Sequence, residues 1–229
     1  FYNNNMHIFV FGDSNSWGYL SDGTGNKYEK RWPLVMLENL KKHSINTALT
    51  EDSLPGRTTA IDDPQDGDFL NGTRSLKASL LAHSPIDHSI IMLGTNDLKA
   101  RYNRSPKEIS LSLIKLAEIV HSSNSGKGGW HETNSPSVSI ICPPILGELA
   151  ANPDWNEDII RSKKEWIGGY KKSLLLSKEI QSLCLKNDIH FIDSNHFIKS
   201  SKKDPIHWDA EAHHLFGRED ANILSKKIY

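Results

Sequence analysis

Cysteine is scarce in this chain. Two in 229 residues, Cys142 and Cys184, allow one disulfide at most, which a chain of this size does not need, and give no paired Cys spacing for a thiolate zinc site. Charge of one sign is also missing. With 27 Lys and Arg against 28 Asp and Glu, the net charge is −1, which leaves no field to gather nucleic acid or an anionic membrane. No apolar run reaches the ~20 residues that a bilayer-spanning helix needs. There is no Gly-x-Ser-x-Gly, so a serine on a strained strand-to-helix elbow of that kind has no support in the sequence. "SGKGGW" at 125–130 lacks the Walker spacing of a phosphate loop. The start, "FYNNNMHIFVFG", has no basic stretch and no small-residue cleavage site, so a cytoplasmic location is expected; residues 1–5, ahead of Met6, can be an expression scar.

What is present is the composition of a globular protein, 37% hydrophobic and 24% charged, and its length makes one domain over residues 1–229 the expectation. A small, near-neutral molecule is the expected partner. Cys142 lies in the apolar "SIICPP" and Cys184 in "EIQSLCLKN", places where free thiols serve as small buried hydrophobes.

Five short apolar runs read as strands: 7–12, 46–54, 88–94, 137–143 and 189–194. Several are continuous rather than alternating, as in strands buried on both faces of a parallel sheet. Helical patterns lie between them, at about 32–43, 73–83, from 105, at 158–187 and at 209–228. The one from 105 is the clearest. Ser105 can cap it, Pro106 suits its first position, Glu108 completes a capping box, and Ile109, Leu113, Leu116, Ala117 and Val120 share one stripe. Alternating strand and helix predicts a three-layer α/β/α sandwich. The linker-like "SSNSGKGGWHETNSPS" at 122–137 reads as a surface loop.

Ligands in such sheets sit outside the carboxyl ends of the strands, so the residues there matter most. After the first strand come Gly12, Asp13 and Ser14 in "VFGDSNSWGY"; Ser14 suits a nucleophile, although for an isolated run Asp13 or Ser14 as a plain helix cap is the better account. "LPGRTTAIDDP" at 54–64 places Gly56 where its N–H can approach a ligand, or forms a simple Pro-Gly turn. "MLGTNDLKA" at 92–100 offers Asn96, whose amide can donate to an oxyanion without carrying charge. Past the last strand, "KKDPIHWDAEAHH" sets Asp204 and His207 three apart, so that a carboxylate can hold one imidazole nitrogen and leave the other for a serine proton. The acidic and histidine residues of 207–214 have no zinc-site spacing and read as a solvated helix face, with no metal or other cofactor expected.

"GDSNSWG", the glycine of "LPGRTT", "GTND" and "DPIH" fall in the order of the blocks of the SGNH hydrolases, also called GDSL esterases, which the chain resembles. Within them, "RTTAIDDPQDGDFLNGTRSL" and "LLAHSPIDHSIIMLGTNDLKARYNRSPKEI" are similar to the bacterial arylesterase and acyltransferase subfamily. The resemblance covers nearly the whole chain, thinning between 145 and 200. It implies a flavodoxin-like fold with a five-stranded, mainly parallel sheet. It implies Ser14 as nucleophile, His207 as base and then acid, Asp204 as its orienter, and an oxyanion hole of the Ser14 and Gly56 N–H groups and the Asn96 side chain. Some relatives have alanine at the second block, where a backbone donor is unaffected. Trp17, which the subfamily shares, is implied as a wall of the acyl pocket, while Lys99 and Ile206 flank Asn96 and His207 and are candidates for the entrance. Ordinary packing or solvation explains these three as well.

The expected function is that of a serine esterase acting on small acetyl-type esters, with acyl transfer to alcohols as a further capacity. A carbohydrate O-deacetylase is one alternative, and a non-catalytic binding module on the same fold is another. Relatives also imply a homo-oligomer that narrows the entrance.

Overall fold

In a computed structural model of the chain, which describes residues 5–43, 45–152, 155 and 164–228, five strands form one sheet. They are β1 (Asn5–Gly12), β2 (Asn46–Ser53), β3 (His88–Met92), β4 (Ser137–Cys142) and β5 (His190–Asp193). Their order is β2-β1-β3-β4-β5 and every pairing is parallel. The helices are α1 (Ser14–Trp17), α2 (Trp32–Lys42), α3 (Gly72–Ala82), α4 (Pro106–His121), α5 (Gly169–Lys186) and α6 (Ala210–Ile228).

The side-chain period of two sorts β1 between two cores. Phe9 and Phe11 join Leu76 and Leu80 of α3, Leu113 and Leu116 of α4, and Leu176 and Ile180 of α5. Ile8 and Val10 face the other way, onto Met36 and Leu40 of α2 and Phe216 and Leu224 of α6. Central strands that are apolar on both faces are the physical cause of the unbroken runs in the sequence. The two thiols are free and buried, and burial pushes Cys184 up to about 12 and Cys142 also well above the ordinary range.

The capping box of α4 is present, with the Ser105 hydroxyl accepting from the Glu108 N–H at 3.2 Å and the Glu108 carboxylate accepting from the Ser105 N–H at 2.7 Å. The long helix expected over 158–187 is shorter at its start. Residues 158–163 lie outside the described residues, 164–168 form turns, and α5 begins only at Gly169, because Gly168 at φ +81° leaves the helical region.

The strand order makes β1 the switch point, with β2 on one side and β3 on the other. The carboxyl ends of β1 and its neighbours are therefore where sheets of this kind bind their ligands.

Candidate active site

Ser14 follows the carboxyl end of β1 on a turn that admits no side chain before it. A Cβ on Gly12 would fall 2.3 Å from the Ser16 hydroxyl, so glycine is required where β1 passes into α1. Asp13 then caps α1, its Oδ1 accepting from the Asn15 N–H at 3.0 Å. The first residues of a helix have no intrahelical acceptor for their N–H groups, which leaves the Ser14 N–H aimed out of α1. Burial pushes the Asp13 carboxyl up to about 6, against the opposing effects of the Asn15 N–H and the His207 charge.

His207 reaches Ser14 from 193 positions away in sequence. Its Nε2 is 3.0 Å from the Ser14 Oγ, and its Nδ1 is 2.6 Å from Asp204 Oδ2. The other Asp204 oxygen accepts the N–H groups of Ile206, at 2.8 Å, and His207, at 3.2 Å, so one carboxylate fixes both the backbone turn and the ring. Burial works to raise the Asp204 carboxyl, but the hydrogen bond and charge of His207 and the two backbone N–H groups outweigh it and hold the group below the usual carboxylate range. Asp204 thus stays ionised. The Tyr19 ring stacks on the imidazole with centroids 4.2 Å apart and planes 26° from parallel. All three residues are nearly closed to solvent, with Ser14 5%, His207 4% and Asp204 9% exposed, so the hydrogen-bonded line lies in a low-dielectric setting.

Gly56 and Asn96 are linked to each other. Gly56 adopts φ +87°, which an L side chain rarely tolerates. The next residue, Arg57, holds this loop: its guanidinium lies 3.9 Å from the Phe11 ring centroid and donates to the carbonyls of Gly12 and Asp52. The Arg57 carbonyl accepts one Asn96 amide hydrogen at 3.1 Å, which fixes the amide plane. Beside it, buried Asp97 accepts the Thr59 N–H at 2.9 Å and pairs with Arg104 at 2.5 Å, tying the loops after β2 and β3 together.

Comparison with known proteins settles the family. The family model of the GDSL-like lipases and acylhydrolases matches residues 10–215. The chain belongs to that family. It is an enzyme of the SGNH hydrolase type, and its fold is theirs. Among solved structures, Est24, a carbohydrate acetylesterase from Sinorhizobium meliloti, is similar at 31% identity over 97% of this chain and 99% of that one, with a TM-score of 0.84. The M. smegmatis aryl esterase is 30% identical over 96% of this chain and 99% of its own, with a TM-score of 0.83. A second carbohydrate acetylesterase family member from Sinorhizobium meliloti is 27% identical over 96% and 98%, with a TM-score of 0.81. A search of curated protein sequences gives no match.

In this SGNH hydrolase Trp17 closes α1 half-buried, with the Lys27 ammonium 5.1 Å from its ring centroid. Lys99 is buried, paired with Glu165 at 3.2 Å and lying 5.4 Å from the Trp166 ring centroid. Ile206 is buried within the core on the α4 side of the sheet. The residues of 207–214 diverge: His207 turns to Ser14, His213 is buried with the Trp32 N–H on its Nδ1, and His214 bonds the Tyr28 hydroxyl. Burial drives His213 down to about 3. Among the described residues no group of three His, Cys, Asp or Glu side chains could hold a metal ion. Tyr19 and Asn15 are contacts of the site that sequence reading did not single out, because their partners lie near residue 207 and no local pattern points there.

Proposed function

We propose that this enzyme hydrolyses small, uncharged acyl esters of the acetyl type through an acyl-enzyme on Ser14. The observation that carries the reading is the continuous line from Ser14 Oγ through both nitrogens of His207 to Asp204. As the Ser14 oxygen attacks the ester carbonyl, its proton passes to His207 Nε2, and Asp204 holds Nδ1–H and stabilises the imidazolium. The carbonyl oxygen becomes an oxyanion, for which the N–H groups of Ser14 and Gly56 and the free amide hydrogen of Asn96 are the assigned donors. Collapse expels the alcohol, which takes the proton from Nε2. Water, or a second alcohol in acyl transfer, then attacks the acyl carbonyl as it gives its proton to Nε2, and collapse breaks the acyl–Oγ bond, returns that proton to Ser14 Oγ and releases the acid or the new ester.

Trp17 is assigned as the wall that limits acyl length. Lys99 and Ile206, which flank Asn96 and His207 in the sequence, are the residues proposed for the entrance. Ser14→Ala is expected to abolish turnover of a short-chain aryl acetate in a folded protein; substantial residual hydrolysis overturns the reading.

A carbohydrate O-deacetylase is the second reading, favoured by the similarity to the two carbohydrate acetylesterases. Free acetate measured on acetylated xylose or xylan, beside acetyl, butyryl and octanoyl aryl esters, separates the two. Acetate release from the sugar with no octanoyl turnover favours the deacetylase. A homo-oligomer that narrows the entrance is part of the same proposal and is tested by light scattering.

A further inference from the structure

The imidazole of His207 has to meet the Ser14 hydroxyl at 3.0 Å, yet it is carried by irregular chain between β5 and α6 that no strand ladder positions. Much of the hydrogen bonding there is internal to that segment. Asp204 accepts the N–H groups of Ile206 and His207, and the Ser201 N–H donates to the His207 carbonyl at 3.0 Å. Those bonds shape the turn without fixing its distance from α1.

Asn15 bridges that gap. Its Nδ2 donates to the Ile206 carbonyl at 3.1 Å, and its Oδ1 accepts the Trp208 N–H at 3.2 Å. One planar amide therefore grips the backbone on both sides of the residue between them, His207, using a donor and an acceptor on opposite arms as a paired strand residue would. Asn15 is 0% exposed, so neither of its polar atoms has water as an alternative partner, and losing the grip leaves buried polar groups unpaired. It also adjoins Ser14 on the same short helix, whose start is pinned by Asp13. The amide thus refers the position of the base directly to the position of the nucleophile. The run that names the family, Gly-Asp-Ser-Leu, has at this position a leucine, which can make neither bond.

The geometry points to Asn15 as a positioning residue that holds His207 in register with Ser14. This rests on the assignment of Ser14 as nucleophile and His207 as base. Because Asn15 is shut away from solvent, it affects the proton-transfer geometry and leaves ester binding untouched.

The test compares wild type with Asn15→Leu, Asn15→Ala and Ser14→Ala on 4-nitrophenyl acetate, with inactivation by a fluorophosphonate as a second readout of Ser14 nucleophilicity. A displacement of about 1 Å at a catalytic group can cost about a hundredfold. In Asn15→Leu, kcat is expected to fall roughly ten- to a hundredfold with KM within about twofold of wild type, and labelling to slow by the same factor. Asn15→Ala, which removes the amide without adding branched carbons, carries the comparison if the leucine variant does not fold. Wild-type kcat in both Asn15 variants, with Ser14→Ala inactive, overturns the positioning role alone, as does a rise in KM at unchanged kcat. Turnover by Ser14→Ala overturns the nucleophile assignment and the positioning role with it.

Discussion

Asn96 gives one amide hydrogen to the Arg57 carbonyl, so the other is held in a fixed direction before any substrate arrives, the condition under which an oxyanion donor is effective. Asn96→Ala is expected to lower kcat about a hundredfold to a thousandfold with little change in KM, as steady-state kinetics on an aryl acetate would show. The proposed mechanism needs an unprotonated base at Ser14, so acid is expected to lower activity. Asp204 is held below the usual carboxylate range and the Asp13 carboxyl is pushed up to about 6, so kcat/KM is expected to decline on the acid side while Asp204 stays ionised. A flat profile from mildly acidic to alkaline pH contradicts the proposed mechanism. Asp204 and His207 were legible in the sequence because their partnership spans three residues and is enforced by a local turn. Asn15 was not, since its partners are backbone atoms 191 and 193 positions away, and nothing in "GDSNSWG" distinguishes a gripping amide from a turn residue.

The helices show the same division between local and distant causes. The capping box of α4 could be read from Ser105, Pro106 and Glu108 alone, because all of its atoms belong to one turn. The late start of α5 could not, since Gly168 and Gly169 fit either a helix or its end until the chain around them is placed. Helices α2 and α6 meet closely through Gly217: a Cβ there would come within 2.7 Å of both the Trp32 carbonyl and the Val35 Cβ. Gly217→Ala is expected to push these helices apart and to cost roughly 1–3 kcal/mol in denaturant unfolding. As α6 begins three residues after His207, the same variant should lose activity ahead of its loss of helical signal.

Across the whole molecule, alternation of strand and helix conveyed the three layers, and continuous apolar runs conveyed the parallel sheet, because burial on both faces leaves its mark in composition. The spatial order that places β1 between β2 and β3 arises from crossovers that composition does not record. The two cores between those layers also hold ionisable groups. Asp220 on α6 is buried with neither carboxyl oxygen hydrogen-bonded among the described residues, and burial pushes it up to about 7. In the unfolded chain the group titrates near 3.8, so the folded state binds its proton more tightly, and the stability this contributes is lost as pH rises from about 4 to about 7. Asp220→Asn is expected to stabilise the protein by a few kcal/mol at pH 8 and progressively less toward pH 4, measured by thermal unfolding. His88 runs opposite. It bridges Ser137 and Ser139 across the sheet, and burial drives it down to about 3, so its neutral form costs stability as pH falls below about 6.5. Neither group touches Ser14, whose role can be read separately from stability. Acid-quenching the enzyme during steady turnover of an aryl acetate and mapping the covalently held acetyl group by peptide mass spectrometry does so most directly. The acetyl group is predicted on Ser14, at a level that rises when a slower acceptor replaces water. Acetyl on another residue, or turnover with no acylated Ser14 at any quench time, contradicts it.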